Sequence, residues 1–212
     1  MTVTSRGTLF VISAPSGTGK STLARRLMES VPGLAFSVSY TTRPRRAGEE
    51  SGREYHFVDD ARFDAMAAAG EFLEWAPVFE RKYGTGRAAT EAALASGTDL
   101  LLDIDVQGAT QVRASGLDAV SIFILPPDFP TLNARLRGRG SEDAVSAEKR
   151  LHEATHEAMQ YDRFDYNVLN ADLEEASLEL ASIVRAERAR TVRRIDRVRQ
   201  VLATFPAPHE GA

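Results

Sequence analysis

Apolar residues along this chain fall in short unbroken runs separated by longer amphipathic stretches. Thr8 to Ser13 (TLFVIS), Asp99 to Ile104 (DLLLDI), Val120 to Leu125 (VSIFIL) and Tyr166 to Leu169 (YNVL) read as buried strands. A Gly-rich turn and a helix from Lys20 to Ser30 follow the first run, and Pro126-Pro127 stops the third. Helical periodicity continues over Val106–Ser115, Phe129–Arg137, Glu142–Tyr161 and Asp172–Leu202. A strand apolar at nearly every position must be covered on both faces, so the alternation predicts an α/β fold around a parallel sheet.

The segment between Phe36 and about Ala89 breaks this rhythm. It is rich in turn residues and aromatics, with strand-like pieces (FSVSY, EYHFV, FLEWAPV) around one helix, Asp60–Ala69. It reads as an inserted α+β subdomain with its own binding surface.

Composition narrows the field. At 212 residues, with 43% hydrophobic and 26% charged positions, the chain has the size of one domain and enough apolar material for a core. A formal net charge of -4 argues against a nucleic-acid coat. Cysteine is absent, which removes disulfides, thiolate catalysis and cysteine-ligated zinc. The apolar run from Leu9 to Ile12 is far below the roughly 20 residues of a membrane span and lacks the features of a signal peptide. The expectation is a cytoplasmic protein with no membrane and no nucleic-acid partner; its oligomeric state is open. His152 and His156 formally satisfy a zinc-binding HExxH pattern, but their charged and polar flanks read as a solvated helix face.

The strongest chemical signal is Ala14-Pro15-Ser16-Gly17-Thr18-Gly19-Lys20-Ser21-Thr22, between a buried strand and a helix. Glycines there let backbone N–H groups close around phosphate oxygens, and the helix N-terminus adds its positive end. Lys20 would reach the β- and γ-phosphates and Ser21 would ligand Mg²⁺. Ala14 stands where the strict pattern has glycine. Asp103 and Asp105 end the second strand run; Asp103 suits a metal-holding role, whereas Asp105 is also placed to cap the following helix.

Three further clusters are basic. Arg43, Arg45 and Arg46, on a turn stiffened by Pro44, form a fork for a phosphate dianion, to which Tyr55 and Tyr83 could add hydroxyls. Arg135, Arg137 and Arg139, with Arg150, lie on a Gly-containing segment that suits a mobile lid over transferring phosphates. The arginines of the last helix read as the solvated face of a docked terminal helix, whose packing face carries Ile183, Val184, Val192, Ile195, Val198 and Leu202. In all, only Lys20, Lys82 and Lys149 are lysines, against 23 arginines. Compositional bias accounts for most of that excess, and bidentate phosphate grip gives a reason for the clustered ones.

The segments SAPSGTGKST, VSYTTRPRRAGE, REYHFV, EFLEWA, YGT, LLDIDVQGA, SIFILPP and RLRGRG, in this order, resemble the guanylate kinase family from Gly7 to about Arg188. The resemblance implies a P-loop NTPase core (1–35, 90–127 and 160–205), a GMP-binding insertion (36–89) and a helical lid (128–159). It implies that Ser39, Glu74 and Asp105, assisted by Thr85, read the guanine edge, and that Arg43, Arg46, Tyr55 and Tyr83 hold the GMP phosphate. ATP would lie on residues 16–22, clamped by Arg135, Arg139 and Arg150, with Asn170 near the adenine. The cofactor implied is Mg²⁺ with ATP, bound through Ser21 and Asp103. Lys82 and the run Asn170-Ala171-Asp172 depart from the family's usual residues.

Guanine offers N1–H and N2–H₂ donors, which a carboxylate accepts together, whereas adenine would set a lone pair against it. The activity implied is phosphoryl transfer from ATP to GMP and dGMP. Two other readings remain at this level: a catalytically inert module that grips a phosphorylated peptide, and a P-loop kinase acting on a ribose phosphate. Lys20, Ser21, Arg135 and Arg139 weigh against the first, and Glu74 with Asp105 against the second.

Overall fold

The computed structural model describes residues 6–78, 80–138 and 144–206. Its centre is a five-stranded parallel sheet built from β1 (Leu9–Ser13), β2 (Leu34–Phe36), β7 (Asp99–Asp103), β8 (Ala119–Leu125) and β9 (Tyr166–Leu169), in the order β2-β7-β1-β8-β9. Every residue of β1 is buried, as the unbroken apolar run requires.

Side-chain alternation sends the strands to two separate cores. Phe10, Ile12, Leu101, Ile122 and Val168 pack with α1 (Lys20–Ser30) and α7 (Leu173–Ala189) on one face. Leu9, Val11, Leu100 and Leu102 pack on the other with Leu94 of α3 (Arg87–Ala95) and Val112 of α4 (Val106–Ala114). The fold is the α/β P-loop NTPase arrangement, with the phosphate-binding turn at the carboxyl end of the central strand, where open α/β sheets bind ligands.

A second, four-stranded sheet in the order β4-β3-β6-β5 is made by β3 (Tyr40–Thr41), β4 (His56–Phe57), β5 (Phe72–Val78) and β6 (Arg81–Gly86). It has a small core of its own, with Phe63 and Met66 from α2 (Asp60–Ala68) against Phe72. The hairpin β5–β6 is joined to α4 by Gln111, whose amide brackets the Trp75 backbone at 3.1 and 2.7 Å. That clamp holds the sheet beside the carboxyl ends of the core strands.

Helix starts follow their capping residues. Asp59 caps α2, Asp105 caps α4, Asp128 caps α5 (Phe129–Arg137), and Asp172 caps α7. α6 (Ala144–Ala158) ends three residues before the Tyr161 end predicted for it, and a single 3₁₀ turn at Tyr161–Arg163 follows. Residues 142 and 143 lie outside the described ones.

The long helix expected over Asp172–Leu202 is two helices. α7 ends at Ala189, Arg190 takes an extended backbone (φ -57°, ψ 138°), and α8 (Thr191–Leu202) begins anew. Buried Glu187 organises the break: it accepts from Tyr166 at 2.6 Å and draws Arg190 and Arg193 to 3.3 and 3.7 Å. Arg194 folds back onto the Arg188 carbonyl at 3.1 Å, satisfying the end of α7. The expected docking of the terminal helix holds for α7 and fails for α8, none of whose residues is buried. Val192, Ile195, Val198 and Leu202 are all exposed.

Candidate active site

The turn after β1 creates the site. Thr18 is fully buried, and its hydroxyl donates to the Pro15 carbonyl at 2.9 Å, closing the loop on itself. Gly19 follows with φ of 95°, in the left-handed region, where a side chain would both strain the backbone and meet Asn170. The chain then enters α1 at Lys20, so the N-terminal end of the helix faces the loop. Ser16, Gly17, Thr18, Gly19, Lys20, Ser21 and Thr22 line one cleft of about 280 Å³, together with Asp105 and Glu157.

Lys20 is tied across the sheet rather than extended into solvent. Its ammonium donates to the Ile104 carbonyl at 2.8 Å and forms an ion pair with Asp103. Asp103 ends β7 next to β1, where Ile12 is its register partner. Ser21 is exposed at the cleft, on the first turn of α1.

Asp105 performs the capping role left open by the sequence: its Oδ1 accepts from the Gly108 N–H at 2.7 Å. The same residue faces the cleft and acts electrostatically on Glu74. Glu74, on β5, is 5% exposed and accepts from the fully buried Thr85 hydroxyl at 2.6 Å. Burial pushes its carboxyl up to about 7; the Asp105 charge adds to the rise, and the Thr85 hydrogen bond opposes it. A Cβ on Gly108 would come within 2.7 Å of Glu74 Oε2, so any larger residue there would displace the carboxylate. Ser39 stands just before β3, half-buried, its carbonyl accepting from His56 N–H at 2.9 Å.

The basic turn of residues 43–49 is ordered by a carboxylate that the sequence reading passed over. Glu49 accepts from both terminal nitrogens of Arg43, at 2.7 and 3.1 Å, and from the Arg46 backbone N–H at 2.8 Å. The guanidinium of Arg43 lies 5.4 Å from the Tyr55 ring centre and 5.6 Å from that of Phe57. Tyr55 and Tyr83 meet edge to face at 5.8 Å. The Arg46 side chain itself is exposed.

On the lid side, Arg135 and Asn170 converge on the back of the phosphate loop. Asn170 is buried, and its amide donates to the Thr18 carbonyl at 2.6 Å. Arg135 reaches the same carbonyl at 3.3 Å and the Asn170 carbonyl at 3.2 Å. In this arrangement the Asn170 side chain braces the loop from behind. Arg150, on α6, donates to the Ser16 hydroxyl at 3.3 Å. Arg139 lies outside the described residues.

Glu157, also on α6, was not anticipated. Its carboxylate accepts from the Ser16 backbone N–H at 3.3 Å, and burial pushes its carboxyl above the usual range. No local motif marks it, because its partner is 141 positions away. Outside this site, His152 and His156 are exposed on α6. No group of three or more His, Cys, Asp or Glu suited to a metal ion occurs among the described residues.

Comparison with known proteins agrees with this architecture. The family model described as guanylate kinase matches residues 6–187. A guanylate kinase of Bradyrhizobium diazoefficiens is 51% identical over 191 residues, spanning 90% of this chain and 87% of its own length. One from Chromohalobacter salexigens is 48% identical over 189 residues, spanning 89% and 88%. Among solved structures, guanylate kinase from Anaplasma phagocytophilum aligns with a TM-score of 0.72 at 33% identity, covering 97% of this chain and 99% of that one. With a family model matching residues 6–187 and relatives near 50% identity over about nine-tenths of the chain, the chain belongs to the guanylate kinase family.

Proposed function

We propose that the protein transfers the γ-phosphoryl group of ATP to GMP, and to dGMP, giving ADP and GDP or dGDP. The observation that carries this reading is the corner formed by Glu74, Thr85 and Asp105, next to the phosphate loop. An acceptor carboxylate buried beside a second one selects a base edge that presents adjacent N–H donors, which guanine does and adenine does not. The glutamate corner also disfavours a ribose phosphate acceptor, which has no base to read. Lys20 and Ser21 line the cleft and Arg135 reaches the loop carbonyl of Thr18, which supports catalysis over an inert phosphopeptide-gripping module.

A phosphate oxygen of GMP is already anionic, so attack on the γ-phosphorus needs no general base. The new P–O bond forms in line as the bond to the bridging β-oxygen breaks, and ADP departs with that electron pair. The protein's share is alignment and charge neutralisation. Arg43, Arg46, Tyr55 and Tyr83 hold the acceptor phosphate, while residues 16–22 hold the donor. Lys20 exchanges Asp103 for the β- and γ-phosphates when nucleotide enters. Arg150 and Arg135 approach from the lid, with Arg139 assigned to the same clamp. Asn170 acts on the ATP side by bracing the loop.

The donor set suits Mg²⁺: a serine hydroxyl and an aspartate carboxylate are hard oxygen ligands. Ser21 and Asp103 would hold it, and it would supply charge neutralisation on the transferring group.

The reading places the enzyme in purine nucleotide metabolism in the cytoplasm, its partners being two soluble purine nucleotides rather than nucleic acid or a membrane. Incubation with ATP, Mg²⁺ and GMP, followed by separation of the nucleotides, tests it. Equal amounts of GDP and ADP are expected. No GDP from an intact, folded protein would overturn the proposal.

A further inference from the structure

Arg43 commits its donors in an unusually complete way. A guanidinium has five N–H groups. One from each terminal nitrogen goes to the two oxygens of Glu49, and Nη1 also donates to the Pro44 carbonyl at 2.9 Å. The other two, Nε–H and the second Nη2–H, lie on the same lateral edge of the group, where the Tyr83 hydroxyl is within their reach. That edge is a ready fork for two oxygens of a phosphate. The Tyr83 hydroxyl stands beside it, strengthening the charge of Arg43.

Everything around Arg43 fixes the direction of that edge. The side chain is 15% exposed and Glu49 18%, so the ion pair is shielded from solvent on most sides. The plane rests against Tyr55 and Phe57. Glu49 is held in turn: a β-turn with Gly48 at φ of 87° returns its N–H to the Arg46 carbonyl at 3.2 Å, and its Oε2 takes the Arg46 N–H. One carboxylate thus sets both the guanidinium of Arg43 and the backbone from which Arg46 extends.

We infer that Glu49 is a positioning residue for the acceptor phosphate, acting through Arg43 and Arg46 rather than by touching substrate. The inference rests on the GMP-kinase reading above. It also opposes simple electrostatics, and this gives the test its sign. Deleting an anion near a phosphate dianion should strengthen binding if charge alone mattered. Loss of an orienting partner should weaken it.

The experiment is calorimetric titration of wild type, Glu49→Ala and Glu49→Gln with GMP, with guanosine and with ATP. GMP affinity is expected to fall about ten-fold or more in Glu49→Ala, with guanosine and ATP affinities unchanged. Glu49→Gln, which keeps one acceptor oxygen, should fall between the two. In turnover, KM for GMP rises while KM for ATP stays put. If GMP binds the variants as tightly as wild type or more tightly, the inference is overturned. If Glu49→Ala unfolds, as read by its melting curve, Glu49→Gln carries the same comparison. Failure of the wild-type protein to prefer GMP over guanosine would strike the functional reading itself.

Discussion

The Thr85 hydroxyl donates to the Glu74 carboxylate at 2.6 Å, inside a corner that solvent hardly reaches. Thr85 stabilises the ionised form of Glu74, while burial and the Asp105 charge press toward the protonated form. The balance leaves this carboxyl titrating at about 7. The carboxyl proposed to read the base is therefore also a proton-sensitive one.

Only ionised Glu74 accepts from both guanine donors, so kcat/KM for GMP is expected to fall as pH drops below about 7, toward ten-fold per pH unit. The phosphate of GMP itself titrates near pH ~6. The pH profile of Glu74→Gln supplies the baseline that removes this contribution. A wild-type profile parallel to that of the glutamine variant would show that Glu74 does not titrate in this range.

The same carboxyl affects stability, and the sign follows from its raised value. A proton binds Glu74 more tightly in the folded state than in the unfolded one. Its stabilising contribution is full below the ordinary value of 4.5 and is lost as pH rises through about 7. The loss is on the order of 3 kcal/mol at alkaline pH. Glu74→Gln should accordingly melt higher than wild type above neutrality while binding GMP worse, and the gap in melting temperature should close in acid. Parallel thermal melts at both extremes of pH check this, and a gap that is constant with pH contradicts it.

Lys20, at the end of the phosphate loop, rests on Asp103 and the Ile104 carbonyl. Lys20→Ala is expected to lower kcat by ~100-fold or more, since it removes the charge that follows the transferring group. Acceptor binding lies elsewhere, so the GMP dissociation constant should be nearly unchanged. Collapse of GMP binding in a folded variant would mean that the donor and acceptor sites are misplaced.

Glu157 sets a negative charge at the Ser16 N–H, in the cleft assigned to ATP phosphates. Glu157→Gln retains an oxygen for that N–H and removes the repulsion. Tighter binding of ATP and ADP, by roughly three- to ten-fold, is expected from titration calorimetry. Weaker binding would show that the carboxylate assists the nucleotide instead of standing in its place.

The parts of the fold legible in the sequence are those whose cause is local. An unbroken apolar run dictated β1, and the glycines with Lys20 marked the turn after it. β6 escaped because RKYGTG has no strand character of its own; it exists as the hairpin partner of β5. α3 was missed because RAATEAALA buries only Thr90 and Leu94, too little for a clear stripe. The break at Arg190 depends on Tyr166 and Glu187, whose meeting is a tertiary event.

The site divides the same way. Phosphate-loop residues announce themselves because backbone geometry demands glycine and lysine at fixed offsets. Glu49 and Glu157 carry no such signature, since a carboxylate satisfying an arginine or a distant N–H looks like any surface glutamate in the sequence. Asn170 was visible as a residue, but its contact with the Thr18 carbonyl was not. Its amide faces the Thr18 carbonyl because the end of β9 passes behind the phosphate loop.

The central claim is that this kinase reads guanine through Glu74, Thr85 and Asp105. The most direct test is kcat/KM with ATP and Mg²⁺ for GMP, dGMP, AMP and ribose 5-phosphate, measured side by side on the wild-type protein. The account predicts that GMP and dGMP are turned over and that AMP lags by at least ~1,000-fold, with ribose 5-phosphate inert. AMP turning over at a rate comparable to GMP would contradict it.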